Sequence, residues 1–409
     1  MTAAQAIAPT PVARTARAFV SGMSVVTPIG NDLEEYWRNL LAGASGIRPL
    51  RRFDTSRFPV HLAGEVLDFD TEAQVPSRVV VQTDRWTHLG MAAARLALAD
   101  SGVDLAAVPE HALSVHTASS SGGNEFGQRE IQALWANGPE HVGAYQSIAW
   151  FYAATTGQLS IRHGMKGWSG VLVAEQAGGL DAIAQSRRVL AQGSAVVLTG
   201  ATEAQLSPYA LTCHLAGGQL SLVNDPKQAY RPFDAAASGY VPGEGGAMLV
   251  IEPEERAHCH GEVLGHASTF DPAPGSGRPP GLRRAIELAL ADAGVGPDGI
   301  DVVFADALGV RSADQAEEDA LAAVFGSGGV PVTTTKTATG RMAAGSAALD
   351  VVTALLSIRD GVIPPAITAG DSTGLDLVTG KPRPAGLSTA LIVARGYRGF
   401  NSALVVTGI

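Results

Sequence analysis

The side chains able to act as nucleophiles, bases or metal ligands are few. Two cysteines, Cys213 and Cys259, occur among 409 residues, too few for a disulfide framework or a cysteine-built zinc cluster. His258-Cys259-His260 has the letters of a metal site, yet no further ligand lies near it in the sequence. It follows Glu252-Pro-Glu-Glu-Arg256, so a solvated turn is the expected setting. His163, next to Arg162, reads as a structural hydrogen-bonder rather than a base. No histidine follows His266, which leaves the C-terminal third without the residue whose proton exchanges most readily near neutral pH.

Composition removes several classes. Hydrophobic residues make up 46% and charged residues 17%, which excludes a disordered or fibrous chain. The net charge of −10 disfavours a nucleic-acid protein, which usually presents a basic face. No apolar run approaches the ~18 residues that would span a bilayer. Residues 1–15 lack the charged-then-apolar order of a signal peptide and read as a loose arm. These features lead to the expectation of a soluble cytoplasmic protein without a membrane or nucleic-acid partner.

The elements that must hold any site repeat. Leu96-Ala-Leu-Ala-Asp100-Ser-Gly102-Val103 returns as Leu288-Ala-Leu-Ala-Asp292-Ala-Gly294-Val295. Each is an alanine-rich helix end closed by glycine and followed by a short β-branched run. Gly179-Leu-Asp181 and Ala348-Leu-Asp350 open a second pair of helices in the same order. Short strands are expected at 18–26, 114–118, 171–174, 195–199, 246–251, 302–305, 390–394 and 403–407. Helices are expected at 33–41, 84–100, 127–135, 179–191, 283–293 and 313–325. This alternation predicts two βα halves, 16–255 and 256–409, with a mainly parallel sheet covered on both faces. Stacked, the halves give a layered α/β/α/β/α sandwich.

Several stretches resemble the β-ketoacyl synthase family. Val20-Ser-Gly-Met-Ser-Val-Val-Thr-Pro28-Ile-Gly30 is similar to its opening strand and turn. Arg231-Pro-Phe-Asp234 and Gly239-Tyr-Val-Pro-Gly-Glu244-Gly-Gly246 are similar to its mid-chain glycine-rich signature. Asp314-Gln-Ala-Glu317, Lys336 with Gly340, and Gly396-Tyr-Arg-Gly399 with Asn401 are similar to its C-terminal half. The resemblance runs from about residue 18 to 409. It implies a thiolase-like fold of two duplicated halves and dimers built through the sheet.

Synthases of this family use a cysteine thiolate at a helix N-terminus and two histidines that assist decarboxylation and stabilise an enolate. By resemblance those positions here are Gln176, Asp306 and Arg341. A carboxamide cannot accept an acyl chain. Val173-Ala-Glu-Gln-Ala-Gly-Gly179, with Gln146-Ser-Ile-Ala-Trp-Phe-Tyr152 and Gly157-Gln-Leu-Ser-Ile-Arg-His-Gly164, resembles the chain length factor, the ketosynthase β subunit of bacterial type II aromatic polyketide synthases. That resemblance implies no condensing activity alone. It implies a heterodimer with a cysteine-bearing ketosynthase α subunit, substrates carried on the phosphopantetheine of acyl carrier protein, and no cofactor of the chain's own.

Three readings of Gln176 follow. Its amide oxygen fills the vestigial oxyanion hole, accepting from the backbone N–H groups of Gln176 and Tyr397; or Gln176 supports malonyl-carrier-protein decarboxylation to acetyl starters; or it is an ordinary satisfied core residue. Against decarboxylation, Asp306 would repel the enolate, since two like charges ~4 Å apart cost ~4 kcal/mol at an effective dielectric near 20; Arg341 would favour it. Asp306 and Arg341 either pair or stand as independent solvated side chains. Glu317 and Lys336 are expected as vestigial-site support, forming a buried pair. A third reading of the whole chain is an inactive homodimer that docks carrier protein.

By resemblance, residues 170–174 and 150–163 face the partner subunit, and a tunnel at the interface receives the growing chain. Asn124, Gly127 and Ile131 fall at spacings of three and four on one helix face. With Ile148 they correspond to the lining where some family members carry aromatics. Smaller residues here predict a long product, around a decaketide or beyond.

Overall fold

A computed structural model describes residues 16–273, 275–367 and 374–409. The expected arm, 1–15, lies outside the described residues. The strands of the main sheet are β1 (Phe19–Val26), β2 (Leu113–Ala118), β3 (Gly170–Leu172), β4 (Val196–Ala204), β5 (Glu244–Glu252), β6 (Gly261–Phe270), β7 (Val302–Phe304), β8 (Pro331–Thr333), β9 (Asp376–Leu377), β10 (Thr389–Arg395) and β11 (Phe400–Thr407). Their order across the sheet is β9-β8-β7-β10-β11-β6-β1-β5-β4-β2-β3. The principal helices are α1 (Arg85–Ser101), α2 (Asn124–Asn137), α3 (Ala154–His163), α4 (Ala177–Ala191), α5 (Leu282–Ala293), α6 (Arg311–Phe325) and α7 (Ala344–Asp360).

The repeat is structural. With the short edge strand β9 set aside and the strands numbered within their own half, each five-strand set reads third, second, fourth, fifth, first. The outer pairings are parallel and the inner ones antiparallel in both halves. The halves join where Phe19 and Val20 pair with Glu262 and Gly261. The alanine-rich helices α1 and α5 end on Gly102 and Gly294, at φ +61° and +71°. Glycine suits that left-handed turn because it has no Cβ to clash.

The sheet is not mainly parallel. From β4 through β10 it is antiparallel, and within it β10 and β11 are joined directly by the short turn between Arg395 and Phe400. Pairs joined by short connections run antiparallel, whereas a parallel pair needs a long crossover. β6 was not among the expected strands. Helices α4 and α7 form the central layer. Every residue of α7 from Ala344 to Ser357 is buried, which explains its near-uniform apolar and small composition. Core residues of both halves, including Leu180, Ile183, Val351 and Leu355, share one cluster. Among the described residues no helix is long and apolar enough to cross a membrane.

Candidate functional site

The candidate site sits where β3 gives way to α4. Glu175 takes a left-handed backbone, φ +50°, a strained turn for a non-glycine residue. The turn delivers Gln176 to the N-terminal end of α4 with its side chain fully buried. Asp306 follows β7 on the adjacent half, and Arg341 lies just before α7. The structure brings these three residues together.

Gln176 Nε2 donates to Asp306 Oδ1 at 2.7 Å. The same carboxylate oxygen accepts the Arg395 backbone N–H at 2.9 Å. Asp306 Oδ2 faces Arg341 Nη1 at 3.2 Å. Arg341 also donates to the Arg395 carbonyl at 2.8 Å, and its Nη2 lies 3.5 Å from Glu175 Oε2. Asp306 and Arg341 therefore pair rather than stand as solvated charges. Burial works against the Arg341 charge, yet the Asp306 and Glu175 carboxylates hold its pKa well above the ordinary value. Burial pushes Glu175 upward, with Arg341 opposing.

Two expectations are corrected. Gln176 Oε1 is buried without a hydrogen-bond partner, so the amide oxygen is not held by the backbone N–H groups of Gln176 and Tyr397. The amide has turned its nitrogen to Asp306, because a carboxylate is a stronger acceptor than a carbonyl. Tyr397 is half exposed on the turn between β10 and β11. The second correction concerns Lys336 and Glu317, which do not pair. Lys336 Nζ donates to the Ala305 carbonyl at 2.8 Å and forms an ion pair with Asp350 of α7. Glu317 of α6 accepts the backbone N–H groups of Asp306 and Ala307 at 2.6 and 2.9 Å. Both residues hold the strand end that carries Asp306, Lys336 from behind and Glu317 from the flank.

A cavity of about 830 Å³ opens beside this cluster, walled by Asn124, Trp150, Glu175, Tyr240, Arg341 and Tyr397 among others. Cys213, remote from the nucleophile position in sequence, is also on its wall. His214 is held neutral there: burial, with the nearby Arg341 charge, pushes it down to about 4. Of the expected tunnel residues, only Asn124 lines this cavity. Gly127 is buried beneath Trp150, whose Cε3 lies 2.5 Å from where a Cβ on residue 127 would stand. The space left by glycine is therefore already occupied by an indole, which sequence spacing could not reveal. Ile131 and Ile148 are partly exposed, at 39% and 38%.

Glu203, buried on β4, accepts the Ser120 backbone N–H at 2.5 Å at the loop that leads into α2. Burial pushes its carboxyl up to about 8. A raised carboxyl pKa means the folded state holds a proton that the unfolded chain loses near pH 4.5. The stabilisation this gives is full below that value and is lost as pH rises through 8. Glu203→Gln keeps the accepting oxygen and cannot ionise. Its melting temperature should match the native chain's at pH 4.5 and exceed it increasingly up to pH 9. A constant offset across that range would contradict this assignment.

Strand β3 is one of the two edges of the sheet. Phe151, Ile161, Trp168 and Val173 around it are exposed. An open edge beside a large apolar patch is the mark of a surface built to be covered.

A two-half sheet with a strand–turn–helix site at the junction defines a condensing-enzyme scaffold, here without its thiol. The β-ketoacyl synthase N-terminal and C-terminal domain models match residues 16–257 and 260–369. The ketoacyl synthase β subunit of the tetracenomycin polyketide synthase of Streptomyces glaucescens is 55% identical over 397 residues, covering 95% of this chain and 97% of that protein. Among solved structures, the ishigamide ketosynthase/chain length factor superposes with a TM-score of 0.87 at 26% identity, covering 97% of this chain and all of that one. A β-ketoacyl synthase from Burkholderia phymatum gives a TM-score of 0.87 at 25% identity, covering 96% and 100%. The chain belongs to the β-ketoacyl synthase family, in its branch of ketosynthase β subunits, or chain length factors, of bacterial type II polyketide synthases.

Proposed function

We propose that this chain is a non-catalytic chain length factor that pairs with a cysteine-bearing ketosynthase and shapes the interface tunnel in which the polyketide grows. The observation that carries this reading is the buried Gln176–Asp306–Arg341 cluster. It puts a carboxamide and an ion pair where acyl transfer needs a thiolate and two imidazoles. The exposed β3 edge and its apolar flank supply the surface for the partner. Acyl carrier protein brings the malonyl and growing chains to that complex on its phosphopantetheine arm, and the chain needs no cofactor of its own.

The alternative, decarboxylation through Gln176, requires free donors for the enolate oxygen. The Gln176 nitrogen is committed to Asp306, and Arg341 is engaged by Asp306, Glu175 and a backbone carbonyl. This favours the first reading.

The test is native mass with and without the ketosynthase partner. A 1:1 complex is expected, and Val173→Asp, which places a charge beside the sheet edge, should weaken it at least tenfold, about 1.4 kcal/mol or more. A homodimer that ignores the ketosynthase would overturn the proposal. In that case malonyl-carrier-protein decarboxylation that falls in Gln176→Ala would establish the alternative.

A further inference from the structure

The turn carrying His258-Cys259-His260 does not stand alone in space. It enters β6 where the chain passes from the first half to the second, and there it meets Asp100 near the end of α1. Asp100 Oδ2 lies 2.7 Å from His260 Nε2, and Asp100 Oδ1 lies 3.7 Å from His258 Nε2. One ligand atom from each residue falls within 4.8 Å of the others. The imidazole planes cross at 77° with centroids 5.0 Å apart, so the rings converge on the carboxylate rather than stack. Two backbone bonds fix the arrangement. The Met23 N–H donates to Asp100 Oδ2 at 2.9 Å, and the His260 N–H donates to the Val20 carbonyl at 2.8 Å. Cys259 faces away, its thiol donating to the Val20 carbonyl at 3.2 Å.

The duplicated half shows which part of this cluster the fold requires. Asp292 ends α5 at the equivalent place and accepts the His266 N–H of β6 at 2.9 Å, as Asp100 accepts Met23 of β1. Its charge is balanced by a single arginine, Arg187. Asp100 is instead met by two imidazoles. One of them, His258, is largely exposed and adds nothing to the anchor between helix and strand. His258 also falls between the two segments matched by the family models. Two imidazole nitrogens and a carboxylate form a zinc donor set, at home with ligand distances of about 2.0–2.2 Å. Accepting an ion requires His260 to draw back by a few tenths of an ångström, which a turn residue can do.

We propose that Asp100, His258 and His260 form a three-residue site for a divalent transition-metal ion, zinc by donor type. A water would complete the coordination, and the ion would staple the end of α1 to the crossover between the halves. The test uses the full-length chain without a histidine tag, in the complex with which it purifies, titrated with Zn²⁺ against a chromophoric chelator. One zinc per chain is expected, with His258→Ala weakening it at least tenfold. Because His258 is exposed, that variant keeps the fold even if Asp100→Asn or His260→Ala does not. Zinc at 100 times its Kd should raise the melting temperature of the native chain by about 3 °C, and that of His258→Ala by less. Zinc binding that is absent, or unchanged by His258→Ala, would overturn the assignment.

Discussion

Arg341→Met should destabilise the protein by about 3–5 kcal/mol, because it strands buried Asp306 without its cation. Both side chains are almost wholly buried, at 4% and 1% exposure, so water cannot replace the lost partner. The double variant Asp306→Asn/Arg341→Met should recover a substantial part of that loss. The asparagine oxygen would still accept from Gln176 and from the Arg395 N–H, and the one carboxylate left without Arg341, Glu175, keeps a side chain 29% exposed to water. Denaturant midpoints of the native chain, the single variant and the double variant check all of this. Equal losses in the single and double variants would show that the pair is not the source of the stability.

Gly127→Phe should move the product distribution of the reconstituted complex toward shorter chains by at least one two-carbon extension. The physical cause differs from the one that spacing suggests. A side chain at residue 127 does not fall into empty space; it meets the Trp150 indole, a wall of the cavity, and drives it inward. Gly127→Phe/Trp150→Ala should therefore restore much of the native chain length, whereas Ile148→Phe, at a part-exposed position, should not be rescued by Trp150→Ala. Product lengths from intact 1:1 complexes decide the matter. Shortening by Gly127→Phe that persists when Trp150 is removed would place the constriction elsewhere.

The zinc site, the Glu203 titration and the Lys336–Asp350 pair share a feature: none was legible in the sequence. His258 and His260 are visible as letters, but Asp100 lies more than 150 residues away and reaches them only because β1 and β6 pair at the junction of the halves. Lys336 was matched to the wrong acid for the same reason. Glu317 and Asp350 are both carboxylates with polar work to do, and only the position of α7 places Asp350 within reach. β6 escaped notice because Gly261-Glu-Val-Leu-Gly-His-Ala-Ser-Thr-Phe270 lacks clean alternation, and its partners β1 and β11 are distant in the chain.

By itself the sequence determined what this protein lacks and how it is built in outline. A chain with glutamine at the nucleophile position and no histidine after His266 has no thiolate there and no imidazole in its C-terminal third, whatever its fold. Two alanine-rich helix ends closed by glycine announced the duplication through local backbone preference. Tertiary structure alone decided how the replacement residues are used: which way the Gln176 amide points, that Asp306 neutralises Arg341, and that Trp150 fills the space over Gly127. The reason is range. Residue identity sets the available chemistry, and helix ends are written within a few positions. A hydrogen-bond or packing partner is chosen by separations of a few ångströms between segments that only the folded sheet and its central helices bring together.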